Sequence, residues 1–223
     1  MSVKFTVRRI HTPTEDELHQ ISAVLSEANA QADCARADSI FVDGCMNDLQ
    51  RYYTLCRCVV STGAAEAHEF VAFLEGSDEV IGAVTFYEPG KSAMGDERQR
   101  AHGFDAFLET LPPKAAVWWR TFLPQYSALV DAKLGPGVKD AAWTINNFGV
   151  KENYRRMGVG RALLQAGEEY ATASKSPIIV KTERLTNVPI YEHLGYSVVS
   201  RGTIKGEEQN PDFELFILRK EFA

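Results

Sequence analysis

The sequence predicts an α/β fold: a single mixed β-sheet of about seven strands flanked by helices. Three observations predict it. Short β-branched and aromatic runs alternate with helical periodicities along the chain. The segments Ala141–Val150, Gly158–Ala173 and Pro177–Lys181 form a strand–helix–strand unit, which calls for parallel pairing through a crossover. Two polar, glycine-containing turns, Gly76-Ser77-Asp78-Glu79 and Gly206 to Pro211, separate pairs of strands and mark hairpins.

The elements follow in order. Val3–Ile10 alternates and makes a first strand. Thr14-Glu15-Asp16-Glu17 opens a helix with a capping residue and early acids that suit the helix dipole. Leu18, Ile21, Leu25 and Ala28 give that helix an apolar face. A second helical stretch runs from about Ala37 to Val60, broken near Gly44. Phe70–Leu74 and Val80–Tyr87 are the strands of the first hairpin, ended by Pro89-Gly90.

Residues 91–140 carry a helical insertion. Its pattern runs through Phe104, Phe107 and Leu108, then through Val117, Trp118, Phe122, Tyr126 and Leu129 after Pro112-Pro113, and predicts one or two helices. Gly135-Pro136-Gly137 closes it. Beyond the strand–helix–strand unit, Val188–Leu194 is a helix, and Tyr196–Arg201 and Asp212–Glu221 pair as a hairpin. With no internal repeat or linker, residues 1–223 are expected to form a single domain.

Composition narrows the function. Of the 223 residues, 45% are hydrophobic and 24% charged, which excludes collagen, a disordered chain and a disulfide scaffold. A net charge of -6 and a pI near 5.4 disfavour non-specific nucleic-acid or membrane-surface binding. Cys34, Cys45, Cys56 and Cys58 match no zinc spacing, so reduced thiols and no metal are expected. The N-terminus has no apolar core of signal-peptide length, and no apolar run approaches the roughly 18 residues of a membrane helix. A cytoplasmic protein is expected.

The chemistry concentrates in Phe148 to Leu164. A strand ends at Val150, a short loop follows, and Gly158-Val159-Gly160 opens a helix. A helix start offers unpaired N–H groups and the positive end of the dipole, and glycine keeps side chains out of the way of an anion. Lys151, Arg155, Arg156 and Arg161 face only Glu152 in this stretch, a local excess of cations in an acidic chain. The pattern suits a diphosphate. It is neither a dinucleotide fingerprint, since Leu163 stands where the third glycine belongs, nor a nucleotide-triphosphatase phosphate loop. In the strand before it, Trp143 and Ile145 have one parity and Phe148 and Val150 the other. That switch predicts a β-bulge at Asn146-Asn147, exposing backbone groups to a ligand.

These residues resemble the GNAT superfamily of N-acetyltransferases. Arg155-x-x-Gly158-x-Gly160 is similar to its Gln/Arg-x-x-Gly-x-Gly/Ala signature, and Asn187-Val188-Pro189-Ile190-Tyr191-Glu192-His193-Leu194-Gly195-Tyr196 to its Asn-x-Pro-Phe-Tyr-Glu helix. Val80–Val84 and the long insertion resemble the branch that includes puromycin acetyltransferase. The resemblance implies a GNAT-like acyl-CoA N-acyltransferase fold whose central parallel strands splay into a V that holds acetyl-CoA. The pantetheine would pair with the backbone of Phe148, Gly149 and Val150. The diphosphate would lie on Arg155, Arg156, Met157, Gly158, Val159, Gly160 and Arg161. Asn187 would touch the pantetheine and Tyr191 would serve as the catalytic residue facing the sulfur.

The implied reaction is direct attack of an amine on the thioester, with a backbone N–H near Val150 meeting the oxyanion. An alkyl amine of pKa about 10.4 is neutral in only about one part in 10³ at pH 7, so removing its proton contributes up to roughly 4 kcal/mol. Lys181 stands where relatives in that branch carry a glutamate, and Asn146 where others do. The base is therefore left among Glu75, Glu88, Glu183, Glu207 and a water chain. Trp118-Trp119 suits either a core or an acceptor pocket. His193, two positions from Tyr191 on a helix, points elsewhere. The expected function is transfer of acetyl from acetyl-CoA to a primary amine of a small molecule, by a monomer or homodimer without nucleic-acid or membrane partners. The alternatives are a protein or peptide N-acetyltransferase and a non-catalytic acyl-CoA-binding module.

Overall fold

The computed structural model describes residues 3–29, 49–205 and 212–222. The elements are β1 (Phe5–Ile10), α1 (Glu15–Asn29), α2 (Leu49–Glu66), β2 (His68–Leu74), β3 (Val80–Tyr87), α3 (Glu97–Arg100), α4 (Phe104–Glu109), α5 (Pro113–Leu134), β4 (Trp143–Val150), α6 (Val159–Ser174), β5 (Ile178–Thr182), α7 (Val188–His193), β6 (Ser197–Ile204) and β7 (Phe213–Lys220). Short 3₁₀ turns at Glu152–Tyr154 and Leu185–Asn187 precede α6 and α7.

Seven strands form one sheet in the order β1-β2-β3-β4-β5-β7-β6. Only β4 and β5 pair in parallel. The other pairs are antiparallel, so the mixed sheet is as the sequence predicts.

Each face of the sheet has its own cover. On one, Val159, Leu163 and Leu164 of α6 bury against Phe86, Ile145 and Val180. The contact is close because Gly167 has no side chain: a Cβ there would lie 2.2 Å from the Phe86 ring. On the other face, Ile21, Val24 and Leu25 of α1 and Val60 of α2 cover Val71 and Ala83, while α4 and α5 cover Ile179 and Ile217. Helix α1 starts with the capping residue its sequence suggests, and the cap is reciprocal. Glu17 N–H donates to Thr14 Oγ1 (3.2 Å), and Thr14 N–H donates to the Glu17 carboxylate (2.9 Å), a device worth about 1 kcal/mol.

Two features differ from the sequence reading. The insertion between β3 and β4 holds three helical segments, α3, α4 and α5, rather than one or two. The second helix runs on past Val60 to Glu66. Its continuation uses Gly63, whose absent Cβ would lie 2.7 Å from both Glu69 and Thr85, so the helix rests directly on the β2–β3 pair. The predicted break near Gly44, Cys34 and Cys45, and the turn from Gly206 to Pro211 with Glu207 lie outside the described residues. Among the described residues, no helix is long and apolar enough to cross a membrane.

Candidate active site

The site begins where β4 and β5 part. They pair through Trp143/Ile178, Thr144/Ile179 and Ile145/Val180, and the pairing then stops. At the same point the β3–β4 register shifts: Val84 faces Phe148 while Phe86 faces Ile145. Strand β4 therefore holds one extra residue, the bulge predicted at Asn146-Asn147. The bulge turns the end of β4 away from β5 and opens a split in the sheet.

The edge of β4 that lines this split turns backbone groups toward it. Lys151 N–H donates to Ile81 O at 3.0 Å. In an antiparallel ladder hydrogen-bonded pairs alternate with non-bonded ones, so Gly149 bonds Ala83, while Phe148 and Val150 turn their N–H and C=O groups away from β3. They face the edge that β5 has left. Arg155 Nε donates to Val150 O at 3.1 Å and holds the strand end in place. Gly149 sits under α1, where a Cβ would lie 2.7 Å from Ala28.

The loop from Arg155 to Gly158 then turns the chain into α6. Arg156 has φ 61° and Gly158 φ 90°, left-handed conformations that gather successive N–H groups on one side, as in anion-binding nests. At Gly158 a Cβ would meet nothing within 4 Å, so the space above the helix start is open. Gly160 is different: a Cβ there would lie 3.1 Å from the Phe148 ring, so its smallness serves packing. Val159 is buried against the sheet and offers only backbone, whereas Arg156, Met157 and Arg161 are exposed. Arg161 Nη2 lies 3.4 Å from His193 Nε2, linking α6 to α7 on the surface. Lys151 is neutralised by Glu79 at 2.9 Å, so the cations at this helix start are Arg155, Arg156 and Arg161.

The far wall of the split is β5, the turn after it and α7. Asn187 Nδ2 donates to Thr182 Oγ1 at 3.0 Å, which fixes the start of α7 against β5. Tyr191 is buried, with its ring 6.4 Å from Phe148 and 5.7 Å from Tyr196. Its hydroxyl makes no hydrogen bond among the described residues. Burial, reinforced by the nearby Glu183 charge, raises its pKa, so the phenol keeps its proton at neutral pH.

A cavity of about 900 Å³ extends from this split to the insertion. Asn146, Asn147, Phe148, Asn187 and Tyr191 line its inner end, and Trp119, Phe122 and Tyr126 of α5 line its outer wall. Trp119 and Phe122 are thus both core and cavity wall, while Trp118 stacks on Phe122 at 4.5 Å.

Of the four glutamates weighed as bases, Glu183 enters this cavity. Tyr126 donates to its Oε1 at 3.5 Å. Burial raises the Glu183 pKa, partly offset by a backbone hydrogen bond and by Arg184 and Lys181. Glu75 pairs with Lys4 on the surface, and Glu88 with His68 and Lys91. Tyr126 and Lys181 also reach the cavity. Sequence reasoning placed Tyr126 only on an apolar helix face and Lys181 only as a departure from a family pattern.

Comparison with known proteins agrees with this geometry. Residues 128–198, from the end of α5 to the start of β6, match the family model described as Acetyltransferase (GNAT) domain. A Corynebacterium glutamicum structure described as histone acetyltransferase HPA2 and related acetyltransferase aligns over 100% of this chain and 98% of its own, at 19% identity and TM-score 0.61. Mosquito arylalkylamine N-acetyltransferase like 5b aligns over 98% and 100%, at 16% identity and TM-score 0.58. A GCN5-related N-acetyltransferase from Rhodopseudomonas palustris aligns over 100% and 98%, at 12% identity and TM-score 0.56. At such identities these likenesses speak to the fold. The matched domain, the split sheet and the glycine-led helix fall in one place: residues 128–198 match a GNAT acetyltransferase domain, and the chain as a whole has the fold of solved GNAT N-acetyltransferases.

Proposed function

We propose that the protein transfers the acetyl group of acetyl-CoA to the primary amine of a small molecule bound in the cavity under α5. The observation that carries this reading is the continuity of one space, from the unpaired edge of β4 to a walled pocket holding Glu183 and Tyr191. Its volume of about 900 Å³ suits a small molecule. The fold itself does not choose an acceptor, since its neighbours carry names of both a histone acetyltransferase and an arylalkylamine acetyltransferase.

The residues suit acetyl-CoA. The outward N–H and C=O groups of Phe148 and the N–H of Val150 would take the pantetheine amides as an added strand would. The N–H groups from Arg156 to Arg161 would take the diphosphate, with Gly158 giving access and the arginines supplying charge. Asn187 would reach the pantetheine arm. Acetyl-CoA supplies an acyl thioester, which an amine attacks without a metal or redox partner.

The protein's own groups do the rest. Glu183, or a water it holds, takes the proton from the acceptor ammonium, which is mostly charged at pH 7. Another backbone N–H near Val150 stabilises the carbonyl oxygen as charge develops on it. Tyr191 keeps a proton at its phenol for the departing sulfur. The acidic charge balance supports small-molecule partners rather than nucleic acid or membrane, and a cytoplasmic setting. The insertion and the Val80–Val84 segment support placement in the puromycin acetyltransferase-like branch.

The test is release of coenzyme A thiol across a panel of primary amines, with the acetylated product identified by mass spectrometry. Product from small amines supports the reading. Acetylation confined to folded proteins or peptides favours the protein-acetylating alternative. Acetyl-CoA binding without product from any amine or peptide favours the non-catalytic one.

A further inference from the structure

Side chains alternate across a strand, so Ile179, Lys181 and Glu183 fall on one face of β5 and its continuation. Ile179 belongs to the core beneath α5, while Lys181 and Glu183 line the cavity. About 6.6 Å of strand rise separates positions two apart.

These two charged groups are not equally provided for. Glu183 accepts a hydrogen bond from Tyr126. The Lys181 ammonium makes no hydrogen bond or ion pair among the described residues; it lies 5.4 Å from the centre of the Tyr126 ring. The carboxylate of Asp131 is committed to Lys139, at 3.1 Å, and Lys139 also donates to Ser127 at 2.6 Å. Lys139 lines the cavity as well, and its charge acts on Lys181 against the opposing charges of Glu183 and Asp131. Burial, with Lys139 adding to it, pulls the Lys181 pKa down to about 8. An ammonium taken from water without a partner is costly, and an anion delivered by a ligand offsets that cost. One ammonium lacks a direct partner, and with Glu183 already in the cavity a singly charged carboxylate matches it better than a dianionic phosphate.

We infer that the acceptor is a free amino acid, its carboxylate bound by Lys181 and its amine presented to Glu183. The spacing suits an amine and a carboxylate a few bonds apart. Trp119 and Phe122 give the acceptor's side chain an apolar wall. The inference rests on the cavity being the acceptor site.

The experiment compares matched pairs that differ by the carboxylate: phenylalanine with 2-phenylethylamine, tryptophan with tryptamine, leucine with isoamylamine. Both kcat/KM and calorimetric binding in the presence of coenzyme A are measured for the wild type, Lys181→Met and Lys181→Gln. In the wild type at least one amino acid is favoured over its amine about tenfold or more. In both variants that ratio collapses to within about threefold through KM, while acetyl-CoA affinity matches the wild type and reports an intact fold. If amines match or outperform their amino acids in every pair, or the ratio survives in a folded Lys181 variant, the inference is overturned while the acetyltransferase reading stands. If no amine or amino acid releases thiol or binds, both fall together.

Discussion

Ile145 and Val180 are the last residues joined across the parallel pair β4 and β5, and the bulge at Asn146-Asn147 begins at the next position. The end of pairing and the start of the bulge are one event. It creates both the outward edge at Phe148 and Val150 and the mouth of the cavity that holds Tyr191 and Glu183.

Tyr191→Phe removes one oxygen and leaves the ring against Phe148 and Tyr196. Single-turnover acetyl transfer is expected to slow by about 10²–10⁴, with acetyl-CoA affinity nearly unchanged. A variant that transfers at the wild-type rate would reduce Tyr191 to a packing residue.

Glu183 acts as a base only when ionised, and burial raises its pKa. Activity is therefore expected to be full at high pH and to fall as pH drops through that raised value. Glu183→Gln should lower kcat by about 10²–10⁴ and flatten this acid limb. A pH–rate profile of both proteins checks it, and an unchanged acid limb in the variant assigns the base elsewhere.

Glu69 is fully buried beside Gly63 and receives a hydrogen bond from Thr85 Oγ1 at 2.6 Å. Burial raises its pKa to about 8. Because the folded value exceeds the unfolded one, the folded state holds the extra proton between them, and stability falls as pH rises from about 4.5 to 8. Glu69→Gln should melt higher than the wild type at pH 8–9 and much the same at pH 5. Thermal melts across that range decide it, and parallel curves would remove Glu69 as the cause.

Phe122 stacks on Trp118 and lines the outer cavity. Phe122→Leu is expected to raise KM for the acceptor several-fold while acetyl-CoA affinity holds, at a stability cost of about 1–2 kcal/mol. A folded variant that loses only cofactor affinity would contradict the division of the site between β4–α6 and α5.

Much of this was legible in the sequence because it is local. The parity break at Asn146-Asn147 and the glycines that open α6 are short-range signals with direct structural meaning. The second helix was read too short because Ser61, Thr62 and Gly63 are weak helix formers. In the structure Thr62 Oγ1 donates back to Cys58 O at 2.9 Å, and Gly63 allows the close approach to β3. The base could not be chosen from sequence for a related reason. Glu183 is set apart from Glu75 and Glu88 by its place in the cavity against Tyr126, 57 residues away in an insertion with no motif. Gly160 was read as a ligand-clearing glycine, and only the position of the Phe148 ring gives it a packing role.

The most direct test is calorimetric titration of acetyl-CoA into the wild type and Gly158→Glu, because the open space at Gly158 is where the split sheet and the helix start converge. The wild type is expected to bind one equivalent. At about 100 times the dissociation constant its stability should rise by roughly 2.7 kcal/mol, a melting shift of about 5–10 °C. Gly158→Glu, folded but with a carboxylate at the diphosphate position, should bind at least 100-fold more weakly. A wild type that fails to bind, or a folded Gly158→Glu that binds as tightly, would contradict this placement of the cofactor.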